Sequence, residues 1–196
     1  SGTQGRGIDD QHWFQLPDQL DDAVSFCAEH DDEDVYFSPA LYNQERATKA
    51  AASQVFCVWV DADRVTPDAF KIEPSIKTET SENNWQCYWL MSEPVDISWA
   101  EGMARTIAYS DPQADKGWAR NKLMRVPNTV NLKPGRMNWF ITAEINWQGY
   151  TKAEMEEGFG EPTYVDTSVG ETPLPDILPD KATVLASLPP DPDIMR

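Results

Sequence analysis

Six apolar residues in a row, VFCVWV at 55–60, run directly into DAD at 61–63. Such a run, rich in β-branched and aromatic residues, predicts a buried strand, and its end in paired carboxylates is unusual for one. Upstream, PDQLDDAVSFCAEH (17–30) sets Leu20, Val24 and Cys27 or Ala28 at helical spacing, with Pro17 and acidic residues in the first turn. That pattern predicts a surface helix with one buried face. DVYFSPALY (34–42) reads as a short strand entering a turn at Ser38-Pro39.

Downstream, PSIKTET (74–80) alternates, SENN (81–84) favours a turn, and WQCYWLM (85–91) is an aromatic strand, so 74–91 predicts an antiparallel hairpin. Ser98 followed by Glu101 has the form of a capping box, and Trp99, Met103, Ala104 and Ile107 continue at helical spacing, predicting a helix over 98–110. DPQADKG breaks it, WARNKLM is a short helix or turn, and RVPNTVNLKPG is loop-rich. MNWFITAEINW (137–147) predicts a last strand and 151–157 a short helix; from 158 the chain turns acidic and Pro-rich. The expected organisation is a mixed α/β (α+β) domain over 1–157, followed by a tail or strap over 158–196.

The 196 residues suffice for one domain with a proper core. The opening Ser1-Gly2, without an initiator Met, reads as an expression remnant, so the chain is expected to be a piece of something longer. A net charge of −17 argues against a surface that grips nucleic acid everywhere. Charge is unevenly spread, however: Arg105, Lys116, Arg120, Lys122, Arg125, Lys133 and Arg136 all fall between 105 and 136, which allows a local basic patch. Cys27, Cys57 and Cys87 are widely spaced and odd in number, consistent with reduced thiols in a cytoplasmic protein. His12 and His30, the only histidines, leave no Cys/His zinc pattern. No stretch is long and apolar enough to cross a bilayer.

In a strand, residues two apart share a face, so Asp61 and Asp63 are expected side by side. Carboxylates that close repel unless a cation lies between them. Hard oxygen ligands of this kind suit magnesium or manganese. From spacing alone, a metal site and a pair of solvated turn residues are equally good readings.

The order of pieces adds to this: strand with D-x-D, hairpin with NNWQCYW, capped helix, then DKGWARNKLMRVPNTVNLKP. Over roughly residues 34–150 it resembles the archaeo-eukaryotic primase superfamily, in particular the RepB-like primase and primase-polymerase domains of phages and plasmids. The resemblance implies an RNA-recognition-motif-like antiparallel sheet with an N-terminal α/β unit. It also implies Mg2+ or Mn2+ on Asp61, Asp63 and a third acid, with Gln86, Arg125, Asn131 and Lys133 facing the nucleotide or template. The expected activity is that of a DNA-directed nucleotidyltransferase, using nucleoside triphosphates and a single-stranded DNA template, with a helicase domain or protein as a further partner.

Two positions depart from the family pattern. Gln86 stands where many relatives have His; it can donate to a phosphate oxygen but carries no charge. Ala119 in GWAR stands where an Asp is expected, leaving Asp115 as the candidate third ligand and Asp111 as a poorer one. The alternative is a catalytically decayed module of the same fold that binds nucleic acid or a replication partner.

Overall fold

The computed structural model describes residues 11–135 and 138–164. The chain divides into compact units at Tyr164/Val165, and the tail from 165 onward lies outside the described residues. The elements are α1 (Leu20–Glu29), β1 (Tyr36–Phe37), β2 (Ala40–Tyr42), β3 (Ala52–Asp63), β4 (Ile76–Ser81), β5 (Asn84–Asp96), α2 (Ile97–Ser110), β6 (Met124–Arg125), β7 (Val130–Asn131), β8 (Trp139–Phe140), β9 (Thr142–Ile145), β10 (Gly149–Tyr150) and α3 (Lys152–Phe159). No helix among the described residues is long and apolar enough to cross a membrane.

The central sheet runs β2-β3-β5-β4-β9, antiparallel throughout, with β10 added parallel to β5 beyond the end of β4. The fold is thus mixed α+β around a mostly antiparallel sheet, as expected. Its hairpin turns at Asn83, which takes φ 58, a left-handed conformation that asparagine tolerates. The N-terminal strands attach to later parts of the chain: β2 extends the edge of the sheet at β3, and β1 pairs with β6.

Alternation along β3 and β5 separates two faces. Val58 lies opposite Trp89 and Val60 opposite Cys87, while Trp59 lies opposite Tyr88 and Asp61 opposite Gln86. Trp89 meets the rings of Phe70 and Phe159, so α3 covers its face. α2 lies against β3 and is tied to α3 by Trp99 Nε1, which donates to Glu156 at 2.7 Å. Val58 and Val60 are completely buried, each contributing on the order of 2 kcal/mol. On the opposite face Phe37 packs on Tyr88, and that face carries the acid.

Three local expectations need correction. In α1, Leu20 and Val24 are exposed, and the half-buried stripe is Ala23, Phe26, Cys27 and His30. Phe26 sets that rotation by gathering the rings of His12, Phe14 and His30 around it. α2 has no capping box: the Asp96 carboxylate caps it, accepting from the Ser98 and Trp99 amides at 2.8 and 3.2 Å. Glu101 is drawn away because it binds Arg120. Finally, the predicted single strand over 137–147 is split into β8 and β9 at Ile141, whose amide donates to Thr129 O at 2.9 Å instead of continuing one ladder.

Residues just past the expected boundary at 157 still belong to this unit. α3 continues to Phe159, closed at its start by a Thr151–Glu154 capping box, and the Thr163 amide donates to Gly102 O of α2 at 3.1 Å.

Candidate active site

Asp61 lies directly opposite Gln86, and Gln86 opposite Thr78 of β4. Directly opposed residues of an antiparallel sheet project to the same side, so acid, amide and hydroxyl form a row. Asp61 is only partly exposed; Gln86 and Thr78 are buried.

Beyond Asp61 the regular pleat fails. The register with β5 shifts between Asp61 and Asp63, and Asp63 takes φ 48. Aspartate is among the few residues that adopt this left-handed conformation at modest cost. Asp63 is therefore delivered by a bulge and turn, not by the simple alternation expected from D-x-D.

The third acid comes from the segment after α2. The Asp115 amide donates to the Asp61 carbonyl at 3.0 Å, fixing this segment to the end of β3. Between their side chains stands Lys122, whose ammonium lies 3.0 Å from Asp61 Oδ2 and 2.8 Å from Asp115 Oδ2. Of the two acids considered for this role, Asp115 is the one bound to the β3 end, while Asp111 turns its carboxylate to the Gln113 amide at 2.8 Å. Ala119 accepts the Lys122 amide at 2.8 Å and so shapes the turn that presents this lysine.

Titration behaviour follows from the crowding. Burial, then the charges of Asp61 and Asp115, push the Asp63 carboxyl above its ordinary value, with Lys122 and Lys133 opposing. Burial also acts upward on Asp115, but the Lys122 ammonium and the Lys116 and Gly117 amides outweigh it and hold the carboxyl low. For Lys122, burial acts downward and is outweighed by the charge of Asp61 and the hydrogen bonds of both acids, so its ammonium form is favoured.

Among the described residues, no three His, Cys, Asp or Glu side chains are arranged closely enough to hold a metal ion. The chemistry of the donors nevertheless suits a hard divalent cation: the charges of Asp61 and Asp115 act on Asp63, and a cationic group already stands between Asp61 and Asp115. In chemistry these donors fit such an ion, while in their present placement Lys122 stands between Asp61 and Asp115.

The remaining predicted residues are positioned as follows. Gln86 Oε1 accepts the Arg125 amide at 3.0 Å and the Tyr88 hydroxyl at 3.4 Å, locking β6 onto the sheet. The Arg125 side chain is buried; it pairs with Asp34 and lies 4.7 Å from the Tyr36 ring centroid. Asn131 is buried too, donating to Thr80 O at 2.6 Å and accepting the Lys133 amide at 3.1 Å. Lys133 is exposed, and its charge opposes part of the rise at Asp63. Asn128 takes φ 64, a left-handed conformation that asparagine tolerates better than most side chains.

Two residues of this region were not singled out from the sequence. Lys122 was visible only as one of several basic residues. Asp34 accepts the Leu132 amide at 3.0 Å as well as the Arg125 guanidinium, yet it ends the acidic run DDED, where nothing marks it out.

No family model and no curated protein matches the sequence. Solved structures do. The AEP domain of the cyanophage S-2L primase-polymerase (PrimPol) aligns with TM-score 0.54 at 18% identity, covering 74% of this chain and 77% of that one. This chain has the fold of the archaeo-eukaryotic primases. Primase RepB' aligns with the same primase fold at TM-score 0.50 and 20% identity, covering 72% of this chain and 48% of its own. The catalytic domain of RepB', solved in complex with initiator DNA, aligns at TM-score 0.50 and 21% identity, covering 72% and 71%. At these identities the likeness is one of fold.

Proposed function

We propose that this primase-fold domain is the catalytic domain of a primase-polymerase. It joins nucleotides from nucleoside triphosphates on a single-stranded DNA template and releases pyrophosphate. The observation that carries this reading is the meeting of Asp61 and Asp115, from separate elements, on one ammonium group in a chain of this fold. Asp61, Asp63 and Asp115 would hold magnesium or manganese. Such an ion, when bound, would lower the pKa of the attacking 3′ hydroxyl and neutralise the leaving phosphates.

The protein's own part is positioning and charge, which dominate phosphoryl-transfer catalysis. Lys133, exposed and within electrostatic reach of Asp63, offers an ammonium to the triphosphate. Gln86 keeps its amide NH2 as a neutral donor while its oxygen holds the Arg125 backbone. Arg125, engaged with Asp34 and Tyr36, acts by fixing the loop that carries Asn131 and Lys133.

The test is primer extension and de novo priming with manganese. Asp61→Asn is expected to lower nucleotide incorporation by at least about 10³-fold, several kcal/mol of lost charge stabilisation. Incorporation near the unsubstituted level would contradict the assignment.

Lys122 also favours a second reading, a binding module whose acids are permanently neutralised by an internal lysine. Ala119→Asp separates the two. A domain already complete with Asp115 gains little incorporation from the added acid, whereas a decayed one starts without activity and gains it.

A further inference from the structure

Beside the acidic cluster, cations and aromatic rings alternate along one surface. The Lys49 ammonium lies 5.7 Å from the Trp118 ring centroid, and the Arg105 guanidinium carbon 4.9 Å from that ring and 5.4 Å from Tyr109. The Lys116 ammonium lies 5.1 Å from the Tyr109 ring centroid. All four separations are within cation–π range. The ladder draws on a loop before β3, on α2 and on the segment that delivers Asp115, which immediately precedes Lys116.

A merely structural role accounts for part of it. Lys116 is a clasp: it donates to Ala108 O and Asp111 O at 2.6 and 2.7 Å, closing the C-terminal end of α2. Lys49 and Arg105 are different. In a chain with 33 acidic residues, neither has an acidic partner within ion-pair distance among the described residues. Tyr109 is 57% exposed, so its ring is open to a ligand. Positive groups without an acidic partner among the described residues, interleaved with the exposed Tyr109 ring and the half-exposed Trp118 ring, match a strand of alternating phosphates and bases.

We infer that the Lys49–Trp118–Arg105–Tyr109–Lys116 ladder is a binding surface for single-stranded nucleic acid, with phosphates on Lys49 and Arg105 and a base against the exposed Tyr109 ring. It rests on the proposed catalytic reading only for the strand's role as template. The strong negative charge elsewhere confines the strand to this track.

Binding of a fluorescently labelled oligothymidylate, followed by anisotropy in EDTA without triphosphate, tests the surface on the full chain. Tyr109→Ala and the double change Lys49→Gln with Arg105→Gln are each expected to weaken binding by about tenfold or more, and the double change to flatten the salt dependence as well. Trp118→Phe keeps a stacking face and should bind nearly normally. In primer extension, the same variants should raise the KM for template and leave the KM for nucleotide unchanged.

An unsubstituted chain that does not bind the oligonucleotide, or Tyr109 and Arg105 variants that bind as it does, would overturn the inference. Asp61→Asn separates this outcome from failure of the catalytic reading. If Asp61→Asn is inactive while the ladder variants bind normally, only the surface is wrong. If Asp61→Asn stays active while the ladder variants lose the strand, the surface stands and the metal assignment falls.

Discussion

Asp61 and Asp115 reach the same ammonium from regions built in opposite ways. Asp61 lies two residues from the end of a twelve-residue strand whose neighbours in β5 fix it by register, with completely buried Trp59, Val60 and Ala62 just before or beside it. Asp115 sits in irregular backbone between α2 and β6. There the holding contacts are individual polar ones: its own amide on the Asp61 carbonyl, Lys116 on α2 carbonyls, and Arg120 on Glu101. One acid is placed by a packed sheet, where many contacts share the task. The other is placed by a few links, each removable by one substitution.

The largest stability effect expected from breaking this difference is at Glu101. Its carboxylate accepts the Arg120 amide at 2.9 Å as well as the guanidinium, and both side chains are largely buried. Glu101→Ala leaves the guanidinium without its partner and should cost about 3 kcal/mol in denaturant unfolding. It should also raise amide hydrogen exchange over 111–123 while leaving β3 and β5 protected. Equal loss of protection in the strands would mean that the two regions are not independently held.

A smaller effect is expected at Asn128, which turns the chain between β6 and β7 at φ 64. Asn128→Ala should destabilise by about 1 kcal/mol because alanine pays more for the left-handed conformation, and Asn128→Gly should be close to neutral. Chemical denaturation of both variants provides the check.

The smallest expected effect concerns the thiols. Burial pushes Cys57 of β3 and Cys87 of β5 up to about 12, from an ordinary value near 9, and raises Cys27 of α1 as well. The unfolded chain therefore ionises first, so their contribution to stability is complete below pH of about 9 and is lost as pH rises toward about 12. At pH of about 8, an aromatic disulfide reagent should modify Cys27, in the half-buried stripe of α1, well before the fully buried Cys87. Simultaneous modification would contradict the rigidity assigned to the strand region.

The same contrast explains how much was legible in the sequence. The strands and α2 could be read because apolar runs, alternation and helical spacing record burial directly, and VFCVWVDAD announced both a core strand and its acids. Asp115 was a candidate by position only, since nothing in DPQADKG says that its amide will bind β3. Lys122 was one basic residue among neighbours because a salt link across an irregular loop has no period. The rotation of α1 was missed for a related reason: Leu20 and Val24 satisfy the helical period, but Phe26 offers more surface to its aromatic neighbours and fixes the face. Asp96 took the cap of α2 because an acid one residue before the helix reaches its free amides directly.

The central claim is that the loop acid Asp115 completes a cation site with the strand acid Asp61. It is tested most directly by calorimetric titration of a deoxynucleoside triphosphate into the chain with and without manganese, on the unsubstituted protein and on Asp115→Asn. The account predicts binding that requires manganese in the unsubstituted protein and disappears in Asp115→Asn, with the fold retained by circular dichroism. Binding of equal strength in both proteins, or in the absence of the metal, would contradict it.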